Sequence, residues 1–191
     1  NNFLNGKRGK DSQRVTLLKI YKATLVDGQW TNVVELPFNS DNYSVAHPAL
    51  SLDEKTLFFA SNMPGTLGQS DLFKVSITKD DTYSIPENLG PKINTEGRET
   101  FPMITAENEL YFATDGRPGL GGLDIYVTRL DENQNLGEIQ NVGEPVNSPK
   151  DDFAFLINSE TRKGFFTSNR DGGKGFDDIY KFTETNKLIC E

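Results

Sequence analysis

The chain has 191 residues, 35% hydrophobic and 25% charged, with 17 Gly and 9 Pro, a turn-rich globular profile that is neither disordered nor fibrous. Its net charge of −8, from 20 Lys and Arg against 28 Asp and Glu, argues against nucleic acid as a partner, because an acidic chain repels phosphate backbones. No apolar run approaches the roughly 18 residues of a membrane-spanning helix, and the one cysteine, Cys190, has no internal partner for a disulfide.

In chain order, residues 1–15 are polar and hold a basic cluster, Lys7, Arg8, Lys10 and Arg14, read as a solvated loop. No signal-peptide pattern follows it. Residues 16–25 (TLLKIYKATL) and 30–38 (WTNVVELPF) read as the third and fourth strands of a unit whose remaining pattern recurs downstream. TLFFASNMPGTLGQSDLFKVSI (56–77), ELYFATDGRPGLGGLDIYVTRL (109–130) and KGFFTSNRDGGKGFDDIYKFTE (163–184) align without a gap. Leu57, Leu110 and Gly164 correspond at steps of 53 and 54, and so do Asp71, Asp124 and Asp178. A linking segment also recurs, YSIPENLGPKIN (83–94) against LGEIQNVGEPVN (136–147), which sets Trp30 and Tyr83 at one place in an outer strand, where packing is expected.

Each copy reads as four short strands. An apolar first strand (SVAHPALS, ETFPMIT, DDFAFLI) is followed by a turn and a second apolar strand. A Gly-rich loop then leads to a third strand (DLFKVSI, DIYVTRL, DIYKFTE), and a polar fourth segment closes the unit. Nothing keeps a helical period. Four antiparallel strands at a period near fifty predict an all-β chain of β-propeller blades, whereas an immunoglobulin-like sandwich would not repeat its own sequence. The blade parts fall at 1–38, 43–90, 98–143 and 151–184, with 185–191 a tail or the start of a following domain. That is about 3.5 blades, incomplete at both ends and short of the roughly four to eight of a closed ring. The expectation is a portion of a larger propeller, or one of two pieces that pair.

The SN/TD…G…DIY stretch (Ser61-Asn62, Thr114-Asp115 and Ser168-Asn169, then Asp71, Asp124 and Asp178) and ENLGPKINTEGRETFP (87–102) resemble the TolB-like, WD-repeat-like propeller repeats of OmpA-family multidomain envelope proteins in Bacteroidetes-type bacteria. Some of those proteins belong to the type IX secretion or gliding machinery. The resemblance covers about residues 16 to 184. It implies a periplasmic, outer-membrane-associated setting, and the preferred reading is a non-enzymatic scaffold whose loop faces meet protein partners, with the remaining blades of the propeller elsewhere. The other reading is a glycan- or peptide-binding or hydrolytic propeller working at the channel mouth.

No residue is read as catalytic or cofactor-binding. The recurrent Asp71, Asp124 and Asp178 are expected to accept backbone N–H bonds from the preceding Gly loop, since a residue repeated in every blade serves the blade. The loop NRDGGKGFDD offers Asn169, Asp171, Asp177 and Asp178 as oxygen ligands of the kind Ca²⁺ takes, but it lacks the bidentate Glu of an EF-hand, and a Gly-rich turn is the preferred reading. His47, the single histidine, stands where Phe101 and Phe153 stand in the other copies, which points to packing or channel lining and away from general base work. Glu99 and Asp151 occupy matching places before the first strands, with Val45 in the earlier copy; two such carboxylates are what a glycosidase would use.

Overall fold

The computed structural model describes residues 16–188, residues 10 and 14, and the backbone of two short strands before them. Cys190 and the side chains of Lys7 and Arg8 lie outside the described residues, while Lys10 and Arg14 are exposed. Among the described residues all regular structure is β. Strands β1 (Phe3–Leu4) and β2 (Lys7–Arg8) pair with each other, and β3 (Tyr21–Val26) and β4 (Gln29–Glu35) form a hairpin. The first large sheet holds β5 (Val45–Leu50), β6 (Thr56–Ser61), β7 (Asp71–Ser76) and β8 (Glu87–Asn88). The second holds β9 (Glu99–Ile104), β10 (Glu109–Thr114), β11 (Asp124–Arg129) and β12 (Gln140–Asn141), and the third β13 (Asp152–Asn158), β14 (Lys163–Ser168) and β15 (Asp178–Thr183). Every sheet is antiparallel and none closes on itself. The fourth strands of the first two large sheets are two residues long, much shorter than the polar segments that contain them.

The sheets stack face to face in chain order. Ile20, Leu36 and Phe38 of the hairpin region pack against Phe59, Phe73 and Val75. Ala49 and Phe58 meet Leu110 and Leu130, and beside them Leu72 meets Phe112 and Tyr126. Tyr111, Ile125 and Val127 then meet Phe155, Ile157 and Phe166. A sheet covered on both faces needs apolar side chains of both parities, which is why LFFAS and LYFAT are continuous apolar runs and are buried throughout. Each fully buried Phe there contributes roughly 2–3 kcal/mol of transfer free energy.

The repeat extends to backbone conformation. The first strand of each large sheet carries a β-bulge with one residue in the left-handed region: His47 (φ 53°), Phe101 (φ 49°) and Ala154 (φ 51°). The turn before each second strand places Glu54, Asn108 and Arg162 there too. These registers correct two sequence matches in the third copy by one residue. Val45 pairs with Ser61, Glu99 with Thr114 and Asp152 with Ser168, so Asp152, not Asp151, is the counterpart of Glu99. By the same count Ala154 is the counterpart of His47 and Phe101, and Phe153 that of Thr100.

Candidate functional site

The recurrent polar residues gather where each second strand passes into the Gly-rich loop and the next sheet begins. Asp71 accepts the N–H groups of Leu67 (2.8 Å) and Gly68 (3.2 Å). Asp124 accepts those of Leu120 (2.9 Å) and Gly121 (3.1 Å), and Asp178 those of Lys174 (2.7 Å) and Gly175 (3.1 Å). Each carboxylate therefore fixes the turn that leads into its own strand. Burial pushes the Asp124 carboxyl above the ordinary Asp value, against the pull of the two N–H donors, and its Oδ1 has no partner among the described residues.

The SN/TD/SN dipeptide has two separate jobs. The hydroxyls of Ser61, Thr114 and Ser168 accept the N–H two residues on, at 3.0–3.2 Å. The side-chain oxygens of Asn62, Asp115 and Asn169 accept the N–H of Ser44 (2.7 Å), Arg98 (2.6 Å) and Asp151 (2.8 Å), the residues that precede the first strands. Asn169 is thereby committed to Asp151, whose carboxylate takes the Leu123 N–H at 2.9 Å. Asp171 pairs with Lys150 at 3.3 Å, and Asp177 is exposed. The residues offered by the sequence as calcium ligands thus point to different partners, and among the described residues no three His, Cys, Asp or Glu side chains gather to hold a metal ion.

Glu99 and Asp152 are fully buried and each accepts three hydrogen bonds. Glu99 accepts from Thr95 N (2.8 Å), Thr95 Oγ1 (2.6 Å) and Thr114 Oγ1 (2.5 Å). Asp152 accepts from Ser148 N (2.6 Å), Ser148 Oγ (2.8 Å) and Arg170 Nη2 (2.7 Å). The Arg170 guanidinium lies 4.9 Å from the ring centres of Phe166 and Tyr180, which places a cation over two aromatic faces. Each carboxylate is thus held by groups of its own surroundings and closed off from solvent.

His47 is half-buried. Its ring stacks on Phe101 (3.8 Å between centres), its Nδ1 lies 2.7 Å from Thr100 Oγ1, and Phe101 packs on Phe153 at 5.0 Å. The three rings form a ladder across the first strands of three sheets. Burial lowers the His47 pKa to about 4. Trp30 departs from expectation: it is exposed, while Tyr83 at the matching place packs edge-on against Phe38. A cleft of about 910 Å³ opens between the hairpin and the first large sheet, lined by Trp30, Leu50, Leu57 and Tyr83 and by the Lys22–Asp81 ion pair; none of the recurrent acids lies in it.

Sequence reasoning missed Asn94 and Asn147. Asn94 accepts the Leu72 N–H (2.8 Å) and donates to the Leu72 carbonyl (3.0 Å) and to Asn88 Oδ1 (2.8 Å). Asn147 does the same to Ile125 and Asn141, and Asn39 holds Ile20 by its N–H (3.0 Å) and carbonyl (2.7 Å). The N that ends each linker (KIN, PVN) was the available signal.

No protein-family model matches the sequence, and no curated protein sequence matches it. Among solved structures the chain is similar to the S511A mutant of puromycin hydrolase complexed with PGG, at 14% identity and a TM-score of 0.43 over 79% of this chain. The chain spans 28% of that protein's length.

Proposed function

We propose that the chain is a portion of a TolB-like β-propeller that acts as a non-enzymatic scaffold, presenting its inter-strand loops to protein partners in a bacterial cell envelope, on the periplasmic side of the outer membrane. The observation that carries this reading is the composition of the loops between second and third strands. The recurrent Asp71, Asp124 and Asp178, with Asn62, Asp115 and Asn169, turn onto the backbone, while Leu67, Leu120 and Phe176 are left exposed. Rigid loops with apolar side chains facing water suit protein contact, whereas catalysis needs polar groups aimed outward. The stacking of similar three- and four-stranded antiparallel sheets at a fixed period supports the propeller form.

Photo-crosslinking residues placed at Leu67 and Leu120 in living cells test the proposal. Discrete adducts with envelope proteins are expected at both sites and none at Asp131, in the turn before a fourth strand. Turnover of peptide or glycan substrates that is lost in Glu99→Gln would overturn it, as would equal labelling at all three sites.

A further inference from the structure

The third sheet exposes a face that the first two sheets bury. Leu156, Phe165 and Ile179 are 58%, 48% and 77% exposed, and they stand together, since Leu156 pairs with Phe165 while Thr167, two residues on along β14, pairs with Ile179. The counterparts of Phe165 and Ile179 are Phe58 and Leu72 in the first sheet (1% and 0% exposed) and Tyr111 and Ile125 in the second (2% and 1%). Those residues are covered by the sheet that follows in sequence. On β14 burial alternates strictly along Lys163–Phe166, where β6 and β10 are buried on both faces.

Two further features of the third copy repeat a neighbour's contacts without the neighbour. A Cβ on Gly68 would lie 2.4 Å from the carbonyls of Thr95 and Gly97, and one on Gly121 would lie 2.1 Å from the Lys150 carbonyl and 2.5 Å from that of Ser148. Both positions are glycine because the segment leading into the next sheet crosses them at contact distance. Gly175 keeps the residue type, yet a Cβ there would come no nearer than 3.6 Å to any atom. The same lead-in segments bond the loop backbone: Glu99 N–H to the Ser70 carbonyl (2.8 Å) and Asp152 N–H to the Leu123 carbonyl (2.6 Å). The matching carbonyl, on exposed Asp177, accepts nothing among the described residues.

We infer that the face formed by Leu156, Phe165 and Ile179, with the loop at 175–177, is the docking site for a further sheet of this same repeat, carried by polypeptide other than residues 16–188. The glycine, the free carbonyl and the apolar face ask for one incoming unit: a lead-in strand that crosses Gly175, bonds Asp177 and brings an apolar sheet behind it. A second copy of this chain offers only the two-stranded β3–β4 hairpin, with Trp30 and Val33 exposed, and not a sheet with its lead-in strand, because the corresponding faces of its three large sheets (Phe59, Phe112 and Phe166) are already buried within the molecule. The inference builds on the repeat reading of the proposed function but not on its partner-binding part.

The segment 131–184 already covers the equivalent face of the second sheet, so it serves as the probe. In a Cys190→Ser background, Ile179→Cys is labelled with a thiol reagent in the full chain and in the full chain followed by a second copy of residues 131–184. The extension is expected to slow labelling at least about tenfold, and Gly175→Val in the extended chain to restore it. Labelling as fast with the extension as without it overturns the inference, whether or not the added segment folds. Slow, concentration-dependent labelling of the unextended chain, with a dimer in sedimentation, overturns it in favour of a second copy. Neither result touches the crosslinking at Leu67 and Leu120, so the two readings fail separately.

Discussion

Asn147 donates through Nδ2 to Asn141 Oδ1 at 2.8 Å, and the same amide clamps the N–H and carbonyl of Ile125, a residue 1% exposed. Asn147→Ala leaves two buried backbone groups without partners, a loss of about 3 kcal/mol. Urea unfolding measures it; Asn147→Asp, which keeps the acceptor and loses the donors, is expected to fall between the two.

Asp124 carries its charge in a buried site. Its native pKa is raised above 3.8, so as pH rises past that value the unfolded chain ionises first and the folded state loses relative stability. Asp124→Asn keeps an oxygen for the Leu120 and Gly121 N–H groups and removes the charge. The variant is expected to match the parent at about pH 3 and to be the more stable at about pH 7, as read from urea midpoints. A variant less stable at neutral pH refutes the argument.

His47 has the opposite sign. Its folded pKa of about 4 lies below the ordinary 6.5, so between those values the unfolded chain binds a proton that the folded state refuses. Stability therefore falls as pH drops from 6.5 toward 4 and levels off below, and His47→Phe abolishes that slope. Because the chain has one histidine, a single imidazole resonance reports it by NMR titration. A midpoint near 6.5 contradicts the burial described above.

The glycine positions separate contact from conformation. Gly68→Ala forces a methyl against two backbone carbonyls that cannot swing away, and is expected to cost about 3 kcal/mol. Gly175→Ala is expected within about 0.5 kcal/mol of the parent. Thermal melts of the two variants check the contrast.

The strand order and the loop carboxylates were legible because Asp71, Asp124 and Asp178 stand at fixed distance from equally apolar strands. The one-residue slip in the third copy was not. DDF offers two adjacent acids, Asp151 and Asp152, and only the pairing of Asp152 with Ser168 chooses between them. Asn39 escaped notice because it lies 55 residues before Asn94, while Asn94 lies 53 before Asn147. The bulges left no mark, since His, Phe and Ala share no preference for positive φ that a sequence would reveal. The hydrogen bonding of Glu99 and Asp152 depends on Thr95, Ser148 and Arg170, small polar residues and a cation whose aim is set by the turn geometry.

The bonds from Glu99 to Ser70 and from Asp152 to Leu123 all run from a later repeat to an earlier one. Others, such as Gln69 N–H to the Gly97 carbonyl, run the opposite way, so each unit is tied to the next and the array is a line of nearest-neighbour couplings. Opening of such an array starts at a sheet with an uncovered face, so among the described residues the third sheet, with Leu156, Phe165 and Ile179 exposed, opens before the first and second large sheets, which are packed on both faces.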